Sequence, residues 1–258
     1  MLEPLQYILG AFSGALVGFS LGLVGGGGSI LAVPLMVYLV GVKSPHVAIG
    51  TSALAVAANA AMGLMNHARA GNVRWRCGLM YASAGVLGAF AGSTAGKTFD
   101  GQRLLFLFAL VMILVGFLML RRRRHEGTVD AHCDWTNAPK VLGYGLGTGA
   151  FSGFFGIGGG FLIVPGLVAS TDMAMINAVG TSLVAVTAFG LTTAFNYAGS
   201  GLVDWLLAGA FIGGGVLGSA LGARAAKRLS GAGQLTTVFA ALIFVVAAYM
   251  LWKSSGSH

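Results

Sequence analysis

The sequence predicts an all-α polytopic membrane protein built from two inverted-topology repeats, each with a glycine-rich broken helix or helical hairpin plus further transmembrane helices. Three observations lead there. Charged residues make up 9% of the 258 and hydrophobic ones 56%, against about 25% charged in ordinary soluble domains. Uncharged apolar runs at 47–64, 104–120, 205–223 and 235–252 each approach the ~20 residues that cross ~30 Å of hydrocarbon. Two glycine clusters, Gly25-Gly26-Gly27-Gly28 and Gly156-Ile157-Gly158-Gly159-Gly160, interrupt apolar segments at matching places, and Pro34 or Pro165 follows each. The alternating ~10-residue segments of a membrane β-barrel are absent.

The repeat fixes the domain organisation. Placing Pro34 on Pro165 sets Gly14, Gly18, Gly22 and Gly25 on Gly145, Gly149, Gly153 and Gly156, an offset of 131. After one residue of slippage, an offset of 130 carries Gly50-Thr51-Ser52 onto Gly180-Thr181-Ser182, Asn66 onto Asn196, Trp75 onto Trp205 and Lys97 onto Lys227. The first repeat spans 1–122, a polar cytoplasmic linker 123–138, and the second repeat 139–258. Helices are expected near 5–23, 29–40, 47–66, 75–96 and 104–120, and again near 140–155, 161–169, 173–196, 205–226 and 235–252. Glycine and proline are poor interior helix residues, so the clusters read as deliberate interruptions.

Loop charges orient the halves. With inversion, Arg69, Arg74, Arg76, Arg121, Arg122, Arg123, Arg124, Lys140, Arg224, Lys227 and Arg228 lie inside, against Lys97, Arg103 and Lys253 outside, with Lys43 unassigned. Parallel halves separate the charges less well. Inversion needs an odd number of crossings per half, and the sequence leaves three and five both open. The net charge of +8 does not point to nucleic acid, because the four-arginine run directly follows an apolar helix and suits anionic headgroups. Cys77 and Cys133 have neither metal-ligand spacing nor a disulfide framework, so both are expected as unpaired thiols. No secretory signal is evident, because 1–3 is acidic rather than basic. A multi-pass protein of the cell inner (plasma) membrane is expected.

All seven carboxylates, Glu3, Asp100, Glu126, Asp130, Asp134, Asp172 and Asp204, fall at predicted ends or loops. That pattern disfavours an intramembrane carboxylate proton relay or cation site and suits an anion. Half-helices starting near Ser29 and Phe161 would aim unpaired N–H groups and the positive ends of their dipoles at the glycines. The expected substrate-binding residues are therefore Gly25, Gly26, Gly27, Gly28, Ser29, Gly156, Gly158, Gly159 and Gly160. The repeated hydroxyls Thr51, Ser52, Thr181 and Ser182 and the amides Asn66 and Asn196 join them. Each has a plainer reading: regularly spaced glycines pack helices, hydroxyls bond a carbonyl one turn back, and amides near helix ends cap. His46 and His67 sit beside loops and read as solvated. The clusters are not a Walker loop, since no Lys-Ser/Thr pair follows. Ser29 with His67 is not a protease pair, since the second half has Gly160 and Tyr197 there. No catalytic residue, metal site or cofactor is expected.

The paired pattern G-x3-G-x-x-G-G-G-G-S-I-L-x-V-P-L at 18–35 and G-x3-G-x-x-G-I-G-G-G-F-L-I-V-P at 149–165, each followed by G-T-S, resembles the sulfite exporter TauE/SafE family of membrane permeases over nearly the whole chain. The resemblance implies movement of small sulfur-containing or organic anions such as sulfite and sulfonates, in either direction, with the substrate at the glycine breaks. The first half departs at Gly26 and Ser29, where the second has Ile157 and Gly160. The expected function is secondary transport, as an exporter, of such an anion by alternating access. An anion channel of the same fold is the alternative, and a non-transporting scaffold or receptor ranks lower. Uptake would require coupling to protons or sodium.

Overall fold

In the computed structural model, the described residues are 3–121, 133–134, 136–158, 160–229, 244, 246–250 and 252, and they contain no β-strand. The chain is α1 (Pro4–Val24), a 3₁₀ segment Gly25–Leu31, α2 (Ala32–Pro34), a π turn Leu35–Leu39, α3 (Pro45–Arg69), α4 (Trp75–Thr98) and α5 (Gly101–Arg121). The second half runs α6 (Ala138–Phe155), α7 (Gly160–Thr171), α8 (Met175–Ala198) and α9 (Trp205–Leu229). Described residues between 244 and 252 are again helical. This is the all-α polytopic membrane architecture expected from the apolar runs. By length and composition, α1, α3, α8 and the part of α9 up to Gly222 can each cross a bilayer.

Local chemistry sets the boundaries. At α3, Ser44 accepts the Val47 N–H at 3.4 Å, Pro45 opens the first turn, and His67 and Arg69 close the last. Gly71 follows with φ +72°. At α9, the Asp204 carboxylate accepts the Leu207 N–H at 2.9 Å, and Asp100 does the same for Arg103 at 3.0 Å before α5. Each arrangement occupies an N–H that a helix start leaves without an intrahelical partner.

Packing is organised by exchange between the halves. Glycines of α1 press on α9: a Cβ at Gly14 or Gly18 would overlap the carbonyl of Phe211 or Gly215. The same seam joins α4 and α6, where a Cβ at Gly145 or Gly149 would overlap the carbonyl of Tyr81 or Gly85. Contacts rise in step along both pairs, so each pair runs parallel. Small residues let the backbones approach closely, which is how helices associate in lipid. Between the pairs, α3 and α8 run antiparallel, with Gly50 at Tyr197 and Gly63 at Leu183. These two are the most enclosed, 61% and 67% of their apolar windows being buried against 39% for α1 and α9.

One expectation is corrected here. Cys77 and Cys133 are disulfide-bonded, with Cα atoms 5.3 Å apart. The sequence spacing of 56 residues concealed this because α5 carries the chain back to the end where α4 begins, which lays residue 133 over residue 77. The short helix expected near 29–40 is present as Gly28–Leu39, built of 3₁₀, α and π turns in succession. The chain winds from α1 directly into the 3₁₀ segment, which keeps N–H groups bonded to carbonyls three residues back. After the π turn, Val40 returns to the level of α1's first turns, where its carbonyl accepts the Gln6 side-chain N–H at 3.0 Å.

Candidate functional site

The second glycine cluster is a true interruption. Helix α6 ends when Gly156 turns left-handed, φ +66°, its N–H donating to the Gly153 carbonyl at 3.3 Å. Gly158 is also left-handed, φ +65°, and α7 restarts at Gly160. A side chain at either left-handed position would be strained. The cluster is held among apolar side chains of the two central helices. A Cβ at Gly156 would strike Ile49, and one at Gly158 would lie 2.9 Å from Val56 and 3.3 Å from Val186. Ile157 between them is fully buried. Gly156 and Gly158 thus bring the break against α3 and α8 just ahead of the first turn of α7. Gly159 lies outside the described residues.

The first cluster differs. Gly25, Gly26, Gly27 and Gly28 belong to the 3₁₀ segment with Ser29, and Ser29 is fully buried. Gly28 sits so close to α1 that a Cβ would lie 2.8 Å from the Ser20 Cβ and overlap the Leu21 nitrogen. The glycines here permit a tight fold-back on α1.

The repeated hydroxyls are engaged across the halves. Thr181 Oγ1 accepts the Arg74 N–H at 2.9 Å, and Thr51 Oγ1 accepts the Asp204 N–H at 3.0 Å. Each threonine thus serves the backbone just before a helix of the other half. Ser52 donates to the Ile49 carbonyl at 3.1 Å and Ser182 to that of Val179 at 2.8 Å, the local bond that hydroxyls commonly make in helices.

Asn196 belongs to a polar cluster at the end of α8. Its Nδ2 donates to Ser93 Oγ at 2.6 Å and Thr94 Oγ1 at 3.0 Å. Lys97 Nζ donates to Asn196 Oδ1 at 2.9 Å, to its carbonyl at 3.1 Å and to Ser200 Oγ at 2.9 Å. The ammonium also lies 5.9 Å from the centre of the Tyr197 ring. A depression of about 610 Å³, lined by Phe90, Lys97, Thr192, Phe195, Asn196, Gly199 and Ser200, opens beside it. Asn66, the repeat counterpart of Asn196, is exposed at the end of α3. His46 Nε2 lies 3.1 Å from the Phe99 carbonyl, and His67 is partly buried.

The structure thus sets Gly158 against the middles of α3 and α8, at Val56 and Val186, and Gly156 against Ile49, two residues from Thr51, with Thr181 and Asn196 towards the two ends of α8. The sequence reading missed Lys97 as the organiser of the Asn196 cluster, although its match to Lys227 was a usable signal. It also missed Asn59 and Ser152, which are buried polar side chains in α3 and α6. Asn59 could have been found, because the 130-residue offset sets it against Phe189.

Apolar helices long enough to cross a bilayer, packed through glycine seams around an interrupted helix, define a multi-pass α-helical membrane protein. Known relatives narrow that class. The chain belongs to the sulfite exporter TauE/SafE family, whose model matches residues 10–250. It is 53% identical over 252 residues to a probable membrane transporter protein of Xylella fastidiosa (strain Temecula1), covering 95% of each chain. It is 28% identical over 246 residues to the probable membrane transporter protein YunE of Bacillus subtilis (strain 168), covering 87% of this chain and 90% of that one. YdhB of the same organism, likewise a probable membrane transporter protein, is 27% identical over 212 residues, or 81% of this chain and 86% of that one. No solved structure matches. The protein is a membrane transporter of this family.

Proposed function

We propose that the protein exports a small sulfur-containing oxyanion, such as sulfite or an organosulfonate, by alternating access of two inverted repeats about the glycine breaks. The observation that carries this reading is the interruption at 156–160. There a helix N-terminus, favourable to anions, opens in the apolar middle of the bundle instead of at its surface. The family description supplies the sulfur chemistry, and the lack of mid-span carboxylates favours negative cargo. Export needs no coupling ion, because an anion leaving the cell runs down the membrane potential, worth ~2.3 kcal/mol per charge per 100 mV.

Inversion is supported by the exchanged contacts. The pairs α1 with α9 and α4 with α6 are repeat equivalents, as are the two threonine bonds, and α3 runs opposite to α8. The 21-residue length of α1, enough to cross ~30 Å of hydrocarbon before the chain returns to Gln6, favours five passages per half over three. The loop charges put the end that holds Arg69, Arg74, Arg76 and Lys140 on the cytoplasmic side, whereas the Cys77–Cys133 disulfide at that same end points to an oxidising compartment, and side-specific labelling decides between them. Cysteines introduced at Asn72 and Leu202 in a chain lacking Cys77 and Cys133 should label from opposite sides, and labelling from one side sinks the inversion.

Flux of labelled sulfite, alkanesulfonates and carboxylates into proteoliposomes tests the function itself. Saturable flux selective for sulfur oxyanions is expected. Conductance without saturation would mean a channel, and no anion flux would overturn transport of this class.

A further inference from the structure

Residues 59 and 189 are repeat equivalents, and each presses on a glycine of the helix crossing it: Phe189 on Gly85 of α4, Asn59 on Gly215 of α9. The second half fills the place with hydrocarbon. Phe189 is fully buried and stacks on Tyr81, ring centres 6.4 Å apart and planes 23° apart. The first half puts an amide there instead. Asn59 is 1% exposed, and neither its Oδ1 nor its Nδ2 has a hydrogen-bond partner.

One turn earlier on α3, Val56 is the residue that abuts Gly158 of the interruption. Ser152 stands one turn before Gly156 on α6; it is fully buried and its Oγ is also unpartnered. Two polar side chains with unmet hydrogen bonds thus lie within a turn of the residues that form or touch the break. An unsatisfied amide within the hydrocarbon region is costly, and leucine would fill much the same volume without that cost. Buried polar groups left unpaired in this way call for an explanation, such as an ordered water, an ion or a ligand.

We propose that Asn59 and Ser152 are the polar wall of the intramembrane substrate site at the 156–160 interruption, their N–H and O–H groups donating to the oxygens of the bound anion. Phe189 is the apolar counterpart in the other half. This rests on the anion-transport reading above and deepens it, because the donors are all neutral. The segments 47–66, 141–155 and 175–198 contain no lysine or arginine, so no buried cation of these helices offsets the cargo's charge. Desolvation cost grows with the square of that charge. The site therefore takes monoanions, such as alkanesulfonate or hydrogensulfite, in preference to dianions such as sulfate.

Proteoliposomes carrying Asn59→Leu, Ser152→Ala and Phe189→Leu, assayed with labelled methanesulfonate and sulfate, test this. Asn59→Leu is expected to keep or raise the melting temperature while KM for methanesulfonate rises by about tenfold or more. Ser152→Ala should raise KM by a smaller factor. Phe189→Leu should lower the melting temperature and leave KM within about twofold. Wild-type protein should move methanesulfonate and not sulfate. Wild-type flux with an unchanged KM in Asn59→Leu overturns this inference alone. Absence of any anion flux in the wild type overturns the transport reading and this inference with it. Equal movement of sulfate overturns the charge selection.

Discussion

The two halves agree in their seams and differ in their breaks. Gly14 and Gly18 do for α1 on α9 what Gly145 and Gly149 do for α6 on α4, and Thr51 serves Asp204 as Thr181 serves Arg74. At the breaks the resemblance stops. The second half has two left-handed glycines and a restarted helix, whereas the first winds on through 3₁₀ and π turns. Where a feature builds the scaffold, the repeat is kept. Where it lines the middle of the bundle, the halves have diverged, as Asn59 and Phe189 also show.

The seams should give the largest effects. Gly18→Val and Gly149→Val each force a branched side chain against a carbonyl that already excludes a Cβ. Each should cost several kcal/mol, at or beyond the ~1–3 kcal/mol usual for overpacking, with loss of folded protein in detergent size-exclusion chromatography. A large difference between the two would break the equivalence of the seams.

Next in size is the second break. Gly158→Ala places a Cβ 2.9 Å from Val56 at φ +65°, whereas Gly71→Ala meets nothing at φ +72°. The left-handed backbone alone costs about 1–2 kcal/mol. Thermal melting should therefore fall further for Gly158→Ala than for Gly71→Ala, and anion flux should fall only for the former. Equal flux in both would place the site elsewhere.

Below these come the exchanged threonines. Thr51→Val and Thr181→Val leave the N–H of Asp204 or Arg74 without its acceptor, worth about 1–3 kcal/mol each. Chemical denaturation should show matching losses for the two, and a loss at one alone would split the pair. The smallest effects belong to Ser52→Ala and Ser182→Ala, whose hydroxyls bond their own helix. Each should shift stability by under about 0.5 kcal/mol unless the hydroxyl also meets substrate, in which case KM moves while melting does not.

Much of this was legible in the sequence, because apolar runs and the repeat offset act locally. The expected 75–96 and 140–155 are observed as Trp75–Thr98 and Ala138–Phe155, and 205–226 as Trp205–Leu229. The offset revealed two halves without saying which helix of one meets which of the other. Gly18 and Gly215 are far apart in sequence, and nothing near either residue names the other. The same limit hid the bond between Cys77 and Cys133 and the acceptor role of Thr51 and Thr181. The form of the first break was not legible, because glycine permits both a clean interruption and a tight 3₁₀ turn, and only packing on α1 selects between them. The helix expected at 235–252 lies largely outside the described residues.

The exchanged seams also impose a schedule on biogenesis. At about 5–20 residues per second, α6 follows α4 out of the ribosome within roughly 3–15 s. Helix α1 must wait about 200 residues for α9, roughly 10–40 s at the same rate. During that interval its glycine face has only lipid or a membrane chaperone against it. A chain stopped before α9 would keep the α4–α6 seam and leave α1 with only its own half to pack on, so the first helix made gains its main partner only when synthesis is nearly done.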